Sequence, residues 1–213
     1  TPAAAALLPS IAIMSALSRG AGQLVDRFGR RLPLVVGPTI AAAGFALFAL
    51  PGTDASYWSG FLPAVVVLGL GMAVTVAPLT TTVMNAVGDD MAGVASGVNN
   101  AVSRVAAVLA LAVFGLLMAW AFDATLAAGL QAMQAPPSTQ AFFESERVRL
   151  AAAQLPPDID GATAQALREH INASFVSGFR WVMLASAALA LLSAASAWWM
   201  ISSLPDRADR PAR

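Results

Sequence analysis

Four arginines and one aspartate crowd a short polar segment between two apolar stretches of the chain. The segment reads GQLVDRFGRR over residues 22–31, with Arg19 just before it. Charges at this density can form charge-assisted hydrogen bonds, which are shorter and stronger than neutral ones. We expect Asp26 to accept such bonds from Arg27 or Arg30, or from the N-terminus of a helix. The alternative is that the arginines only anchor the turn at anionic lipid headgroups.

A second group of polar residues recurs in a long apolar stretch further along the chain. Their steps of three and one place them along one face of a helix: Ser96, Asn99, Asn100, Ser103 and Arg104. Arg104 follows Asp90 by about 21 Å along such a helix, near the middle of a bilayer. A charge at that depth costs about 2.5 to 3.5 kcal/mol, so this face is a candidate translocation path. The alternative is a structural arginine bonded to carbonyls or a carboxylate of a neighbouring helix.

Threonines provide a third candidate. Thr80, Thr81 and Thr82 follow Pro78 in another apolar stretch, where their hydroxyls could line a path. Hydrogen bonding back to the carbonyl four residues earlier is the commoner fate of such hydroxyls in membrane helices. We keep Thr81 as the path candidate of this group.

The composition identifies the elements that must position these residues. Of the 213 residues, 58% are hydrophobic and 11% are charged, and the mean hydropathy is +0.70. An ordinary soluble domain has about 25% charged residues. A membrane span needs about 20 mainly apolar residues in a helix. Five stretches qualify, so we predict an all-α integral membrane protein with spans at about 2–18, 32–50, 57–87, 92–122 and 174–204.

Arginines and tryptophans orient these spans. The turn at 19–31 and the tail at 205–213 carry seven arginines, whereas Arg147, Arg149 and Arg168 lie in the long loop 123–173. By the positive-inside rule, the turn and the tail are cytoplasmic and the loop is extracytoplasmic. The tryptophans fall at predicted helix ends, as interfacial belts require: Trp58, Trp120 and Trp181 on one side, Trp198 and Trp199 on the other. The predicted organisation is four spans within 1–122, the loop, a last span at 174–204 and the tail.

Two further features concern packing. Small residues recur at spacings that let helices approach closely, at Gly37, Ala41 and Gly44 and at Gly93, Gly97 and Ala101. Pro38, Pro63 and Pro78 each remove a backbone donor and should bend or loosen their helices. In the long loop, residues 141–153 and 161–172 can form short helices, the second running into the last span.

Most catalytic chemistry is excluded by residue type. The chain has no cysteine, all twelve of its basic residues are arginine, and its one histidine, His170, lies outside the predicted spans. Neither a Ser-His nor a Ser-Lys dyad can therefore form inside the membrane. We expect neither an enzyme, nor a metal site, nor a nucleic-acid-binding face.

The arginine-rich turn resembles the signature turn of major facilitator superfamily transporters, which has the pattern G-x-L-x-D-R-x-G-R-R. All seven specified positions match: Gly22, Leu24, Asp26, Arg27, Gly29, Arg30 and Arg31. The resemblance implies a conformational latch, in which the glycines permit close packing and the charges hold neighbouring helix ends on the cytoplasmic side. The run AGVASGVNNAVSR, the long loop and the last helix are similar to fourteen-helix drug:proton antiporters of the EmrB/QacA type.

This resemblance implies multidrug-type efflux of small organic compounds by alternating access, with the proton as coupling ion and no cofactor. The five spans resemble helices two to six of the C-terminal half of the fold, in the inner (plasma) membrane. We therefore expect the N-terminal half of the transporter as a partner, beside the substrate and the lipid bilayer, and no transport by these residues alone. A metabolite or sugar carrier of the same superfamily, a channel and a non-transporting structural membrane subunit are the alternatives.

Overall fold

Helices make up nearly all of the computed structural model, which describes residues 6, 8–17, 29, 31–84, 89–156 and 159–201. These residues contain no strand, as the composition predicts. The α-helices in chain order are α1 (Leu8–Leu17), α2 (Arg31–Phe48), α3 (Leu62–Met84), α4 (Ala92–Ala132), α5 (Pro137–Glu146) and α6 (Gly161–Met200). A π-helical turn, Tyr57–Phe61, leads into α3, and 3-10 turns cover Asp89–Met91 and Arg147–Ala152.

Four helices, α2, α3 with its preceding turn, α4 and α6, are long and apolar enough to cross a membrane. The helix α1 is a shorter apolar helix at the position of the first predicted span. The helices at the fourth and fifth predicted spans extend beyond those spans: α4 has 41 residues and α6 has 40. At about 1.5 Å per residue each is about 60 Å long, twice the hydrocarbon thickness. The predicted boundaries at 122 and 174 therefore fall inside helices, since strong helix formers continue beyond the apolar stretch.

The main contacts between helices join α1 to α3, α3 to α2, α2 to α6 and α6 to α4, and a smaller contact joins α3 to α4. Small residues make the α2–α3 contact, as their spacing predicts. A Cβ on Gly44 would lie 2.7 Å from the backbone N of Leu68, and one on Gly71 would overlap the backbone of Ala41. Neither Pro38 nor Pro78 interrupts its helix. The third proline, Pro63, lies where the π-helical turn Tyr57–Phe61 passes into α3.

The first two thirds of α4 are mostly exposed in the described chain. Large apolar side chains are exposed around the whole helix there, including Val98, Val105 and Leu111. A Cβ on Gly93 or Gly97 would meet nothing within 4 Å. The close packing predicted for these glycines is therefore not made with any described part of this chain.

At the other end of α4 a small hydrophobic core holds the long loop in place. Its buried members come from the overhanging parts of α4 and α6 and from α5: Phe122, Leu126, Leu130, Phe143, Leu167 and Ile171. The predicted helix at 141–153 is found as α5 followed by the 3-10 turn, and the helix at 161–172 continues into the last span as predicted. Asp160 caps α6 by accepting hydrogen bonds from the backbone N–H groups of Ala162 and Thr163. The loop is thus a packed helical cap.

The bundle has two ends. The turn end contains Arg31 and Trp198, at the start of α2 and the end of α6. The loop end contains Leu50, Trp120, Trp181 and the helical cap.

Candidate functional site

The structure describes two positions of the arginine-rich turn, Gly29 and Arg31. Gly29 has φ +74°, a backbone conformation that residues with a side chain rarely adopt, and a Cβ there would meet no described residue within 4 Å. The backbone conformation alone therefore favours glycine at this position. The other latch candidates, Gly22, Asp26, Arg27 and Arg30, lie outside the described residues, so their role stays a prediction.

Arg31 contacts the end of the last helix. Its Nη2 donates a 2.7 Å hydrogen bond to the carbonyl oxygen of Trp198, and its Cζ lies 3.8 Å from the centre of the Trp198 ring. That carbonyl is among the last four of α6, which have no partner within the helix and carry partial negative charge. Within the described residues the Nε of Arg31 is buried and unpaired. Arg31 is thus bound to a helix end and to an aromatic ring.

Arg180 makes a similar contact at the loop end, which was not predicted from the sequence. Its Nη2 lies 3.4 Å from the carbonyl oxygen of Leu50 and 3.3 Å from that of Pro51, just beyond the end of α2. The neighbouring Trp181 packs edge-on against Trp120, with ring centres 6.2 Å apart. The sequence carried one signal for this contact, an arginine next to a tryptophan at a predicted helix end.

The five polar residues of α4 occupy one helix face, as their spacing predicts. Ser96 and Asn99 are partly exposed, while Asn100, Ser103 and Arg104 are exposed. In the described chain, the part of this face formed by Asn100, Ser103 and Arg104 is therefore uncovered. Within the same residues, Arg104 forms neither an ion pair nor a hydrogen bond. The structure thus aligns the path candidates of α4 and leaves them facing outward from this chain.

Two of the three threonines that follow Pro78, Thr80 and Thr81, satisfy their hydroxyls locally, whereas within the described residues the buried Oγ1 of Thr82 has no hydrogen-bond partner. The Oγ1 of Thr80 donates to the carbonyl of Val76 and that of Thr81 to the carbonyl of Ala77, each at 3.1 Å. Thr81 is also partly buried and lies on α3 rather than on the polar face of α4. Thr81 therefore bonds within its own helix, and its role in a path stays a prediction.

His170 packs inside the loop-end cap. A Cβ on Gly129 would lie 2.9 Å from its Nδ1, so the imidazole covers the glycine where α4 meets α6. A cavity of about 550 Å³ beside it is lined by Asp54, Glu169 and Asn172, among others. Among the described residues, no group of three or more histidine, cysteine or acidic side chains is arranged to hold a metal ion. His170 contributes packing in this arrangement.

The chain is similar to known proteins over most of its length. Residues 1–111 match the sequence profile of the Major Facilitator Superfamily. The chain is 30% identical to the tetracenomycin C resistance and export protein of Streptomyces glaucescens, over 94% of this chain and 37% of that protein. It is 26% identical to the methyl viologen resistance protein SmvA of Salmonella typhimurium, over 88% of this chain and 37% of that protein.

A third relative matches a shorter part of the chain. The multidrug resistance protein Stp of Mycobacterium tuberculosis is 31% identical over 56% of this chain and 22% of its own length. The chain therefore spans well under half the length of each of these three relatives. All three are named for resistance or export.

Proposed function

Because the chain belongs to the Major Facilitator Superfamily, we propose that it is part of a transporter that exports small organic compounds in exchange for protons. The names of the three relatives, which refer to resistance or export, support this direction and substrate class. Since the chain spans 37% of two of them, the proposed activity is that of the longer protein.

The exposed polar face of α4 carries the proposal. Asn100, Ser103 and Arg104 lie on a helix that is apolar and long enough to span a bilayer, yet nothing in the described chain covers them. Amide and guanidinium groups at membrane depth must face protein or water, because lipid cannot satisfy them. We therefore place this face against a water-filled path, closed on the far side by helices of the longer protein. There Arg104 would meet an anionic group of the substrate or a carboxylate of the opposite wall.

The proposed sidedness follows the arginines. The turn at 19–31 would be cytoplasmic, together with the chain after Met200, and the helical cap would lie outside. In this orientation the protein is a multi-pass protein of the plasma membrane, and protons enter as the substrate leaves. Asp26 and its neighbouring arginines would act as the latch that opens and closes the turn end.

A resistance assay tests this function. Cells that express the full-length protein are exposed to a panel of antibiotics and organic dyes that includes methyl viologen, and accumulation of each compound is measured. We expect expressing cells to accumulate less of at least one compound than control cells. This difference should be lost in Arg104→Gln and retained in Arg168→Gln, because Arg168 is exposed and lies in the helical cap. Equal accumulation in expressing and control cells for the whole panel would refute the proposal.

A further inference from the structure

We propose that Arg31 and Arg180 are reciprocal clamps, each holding the C-terminal end of the helix that carries the other, so that α2 and α6 form one rigid antiparallel pair. Arg31 begins α2 and binds the end of α6. Arg180 lies on α6 and binds the carbonyls just after α2. Both would be positioning residues that do not touch the substrate.

Both arginines bind backbone carbonyls, in the last turn of α6 for Arg31 and two and three residues beyond the end of α2 for Arg180. The last carbonyls of a helix lack intrahelical partners and carry partial negative charge, so a cation is stabilised at the turn end. A guanidinium suits this position because its planar array of donors can bond carbonyls while its face stacks on an aromatic ring. At the turn end Arg31 does both with Trp198, and at the loop end Arg180 reaches two successive carbonyls, those of Leu50 and Pro51.

The spacing of the clamps matches a bilayer. Arg180 and Trp198 are separated by about 27 Å along α6, and Arg31 and Leu50 by about 28 Å along the direction of α2. The hydrocarbon core is about 30 Å thick. Both clamps therefore lie at the level of the membrane interfaces, where an arginine is tolerated far better than at the centre.

Between the clamps the buried residues of both helices are small or apolar. Buried residues there include Pro38 and Ala42 on α2 and Ala187 on α6, and the hydroxyl of Ser186 bonds back to Val182 within its own helix. In the described part of the chain, the hydrogen bonds that join α2 and its following loop to α6 come from the two arginines. Removal of one clamp should therefore loosen one end of the pair and leave the other end in place.

Distances between spin labels test the clamps in the full-length protein, reconstituted in lipid nanodiscs after any cysteines outside these residues are replaced. One label pair, Val36→Cys with Leu192→Cys, reports on the turn end, and another, Ala46→Cys with Leu184→Cys, reports on the loop end. All four positions are exposed. We expect Arg31→Gln to broaden the turn-end distance distribution at least twofold and leave the loop-end one unchanged. Arg180→Gln should do the reverse.

Matched variants separate a clamp from general damage. Trp198→Leu keeps Arg31 and the backbone carbonyl but removes the stacking, so it should also broaden the turn-end distribution. Trp199→Leu changes a neighbouring ring that is 89% exposed and should have no effect. The proposal is overturned if both arginine variants leave both distributions unchanged, or if each broadens both ends equally. Because the readout is a distance, the outcome is independent of whether the protein exports drugs.

Discussion

The guanidinium of Arg31 lies 3.8 Å from the centre of the Trp198 ring and donates a hydrogen bond to the carbonyl oxygen of the same residue. The two residues are 167 positions apart in the chain. The contact joins the last residue of the arginine-rich turn to the end of the last described helix. The turn is therefore connected to α6 as well as to the helix that follows it.

Arg31→Lys should destabilise the protein even though the charge is kept. A lysine ammonium can bond the Trp198 carbonyl but cannot lie flat on the ring, so we expect a loss of about 0.5 to 1 kcal/mol. Thermal unfolding of the purified full-length protein measures it, with Arg168→Lys as the control. A stability equal to that of the control would show that the stacking contributes nothing.

Gly44→Ala should be destabilising, in contrast to most glycine-to-alanine changes inside helices. The added methyl would meet the backbone of Leu68, 2.7 Å from its N and 2.8 Å from its Cα, and backbone cannot move aside as a side chain can. Overpacking of this kind costs about 1 to 3 kcal/mol. Gly115→Ala is the matched control, because no part of the described chain lies within 4 Å of its added Cβ. A lower stability for the control than for Gly44→Ala would contradict the packing described for α2 and α3.

The helix positions and the polar face of α4 could be predicted from the sequence, because both depend on periodicity within one segment. The ends of α4 and α6 could not, since hydropathy marks the membrane boundary while helix propensity continues beyond it. The contacts of Arg31 and Arg180 also escaped prediction. They depend on which helices are neighbours, and α2 and α6 are far apart in the chain. The packing of the long loop was not predicted either, because its buried residues, such as Phe143 and Leu167, are scattered among charged ones.

Cysteine labelling can test whether the polar face of α4 borders water. The chain has no cysteine of its own, so a single substitution in it is the one reactive thiol once any cysteines elsewhere in the full-length protein are replaced. Ser103→Cys should react with a membrane-impermeant thiol reagent in the full-length protein. Val102→Cys, at nearly the same depth but about a quarter turn away, should be protected by lipid or protein. Equal reactivity of the two would place the water path elsewhere.

The hydrogen bonds by which Asp160 caps the N-terminus of α6 should weaken in acid. Hydrogen bonds from the backbone N–H and the hydroxyl of Thr163, with a smaller contribution from the N–H of Ala162, hold the pKa of Asp160 below its ordinary value of 3.8. The carboxylate therefore stabilises the folded state above pH 3.8, and this stabilisation is lost as the pH falls through the lowered pKa. Amide-exchange protection of the first turn of α6, corrected for intrinsic rates, should fall accordingly. Asp160→Asn keeps a capping oxygen without a titrating group, so its protection should not show this pH dependence. The same pH dependence in both proteins would exclude Asp160 as its cause.

We propose that the full-length protein carries out proton-driven export by an alternating-access mechanism that uses the arginine-rich turn. Its most direct test is transport of a compound identified in the resistance assay by the full-length protein in liposomes, with and without an imposed pH gradient. We expect uphill movement that requires the gradient and reverses with its sign, and that is lost in Asp26→Asn. Transport at equal rates with and without the gradient, or unchanged proton-driven transport by Asp26→Asn, would contradict the account.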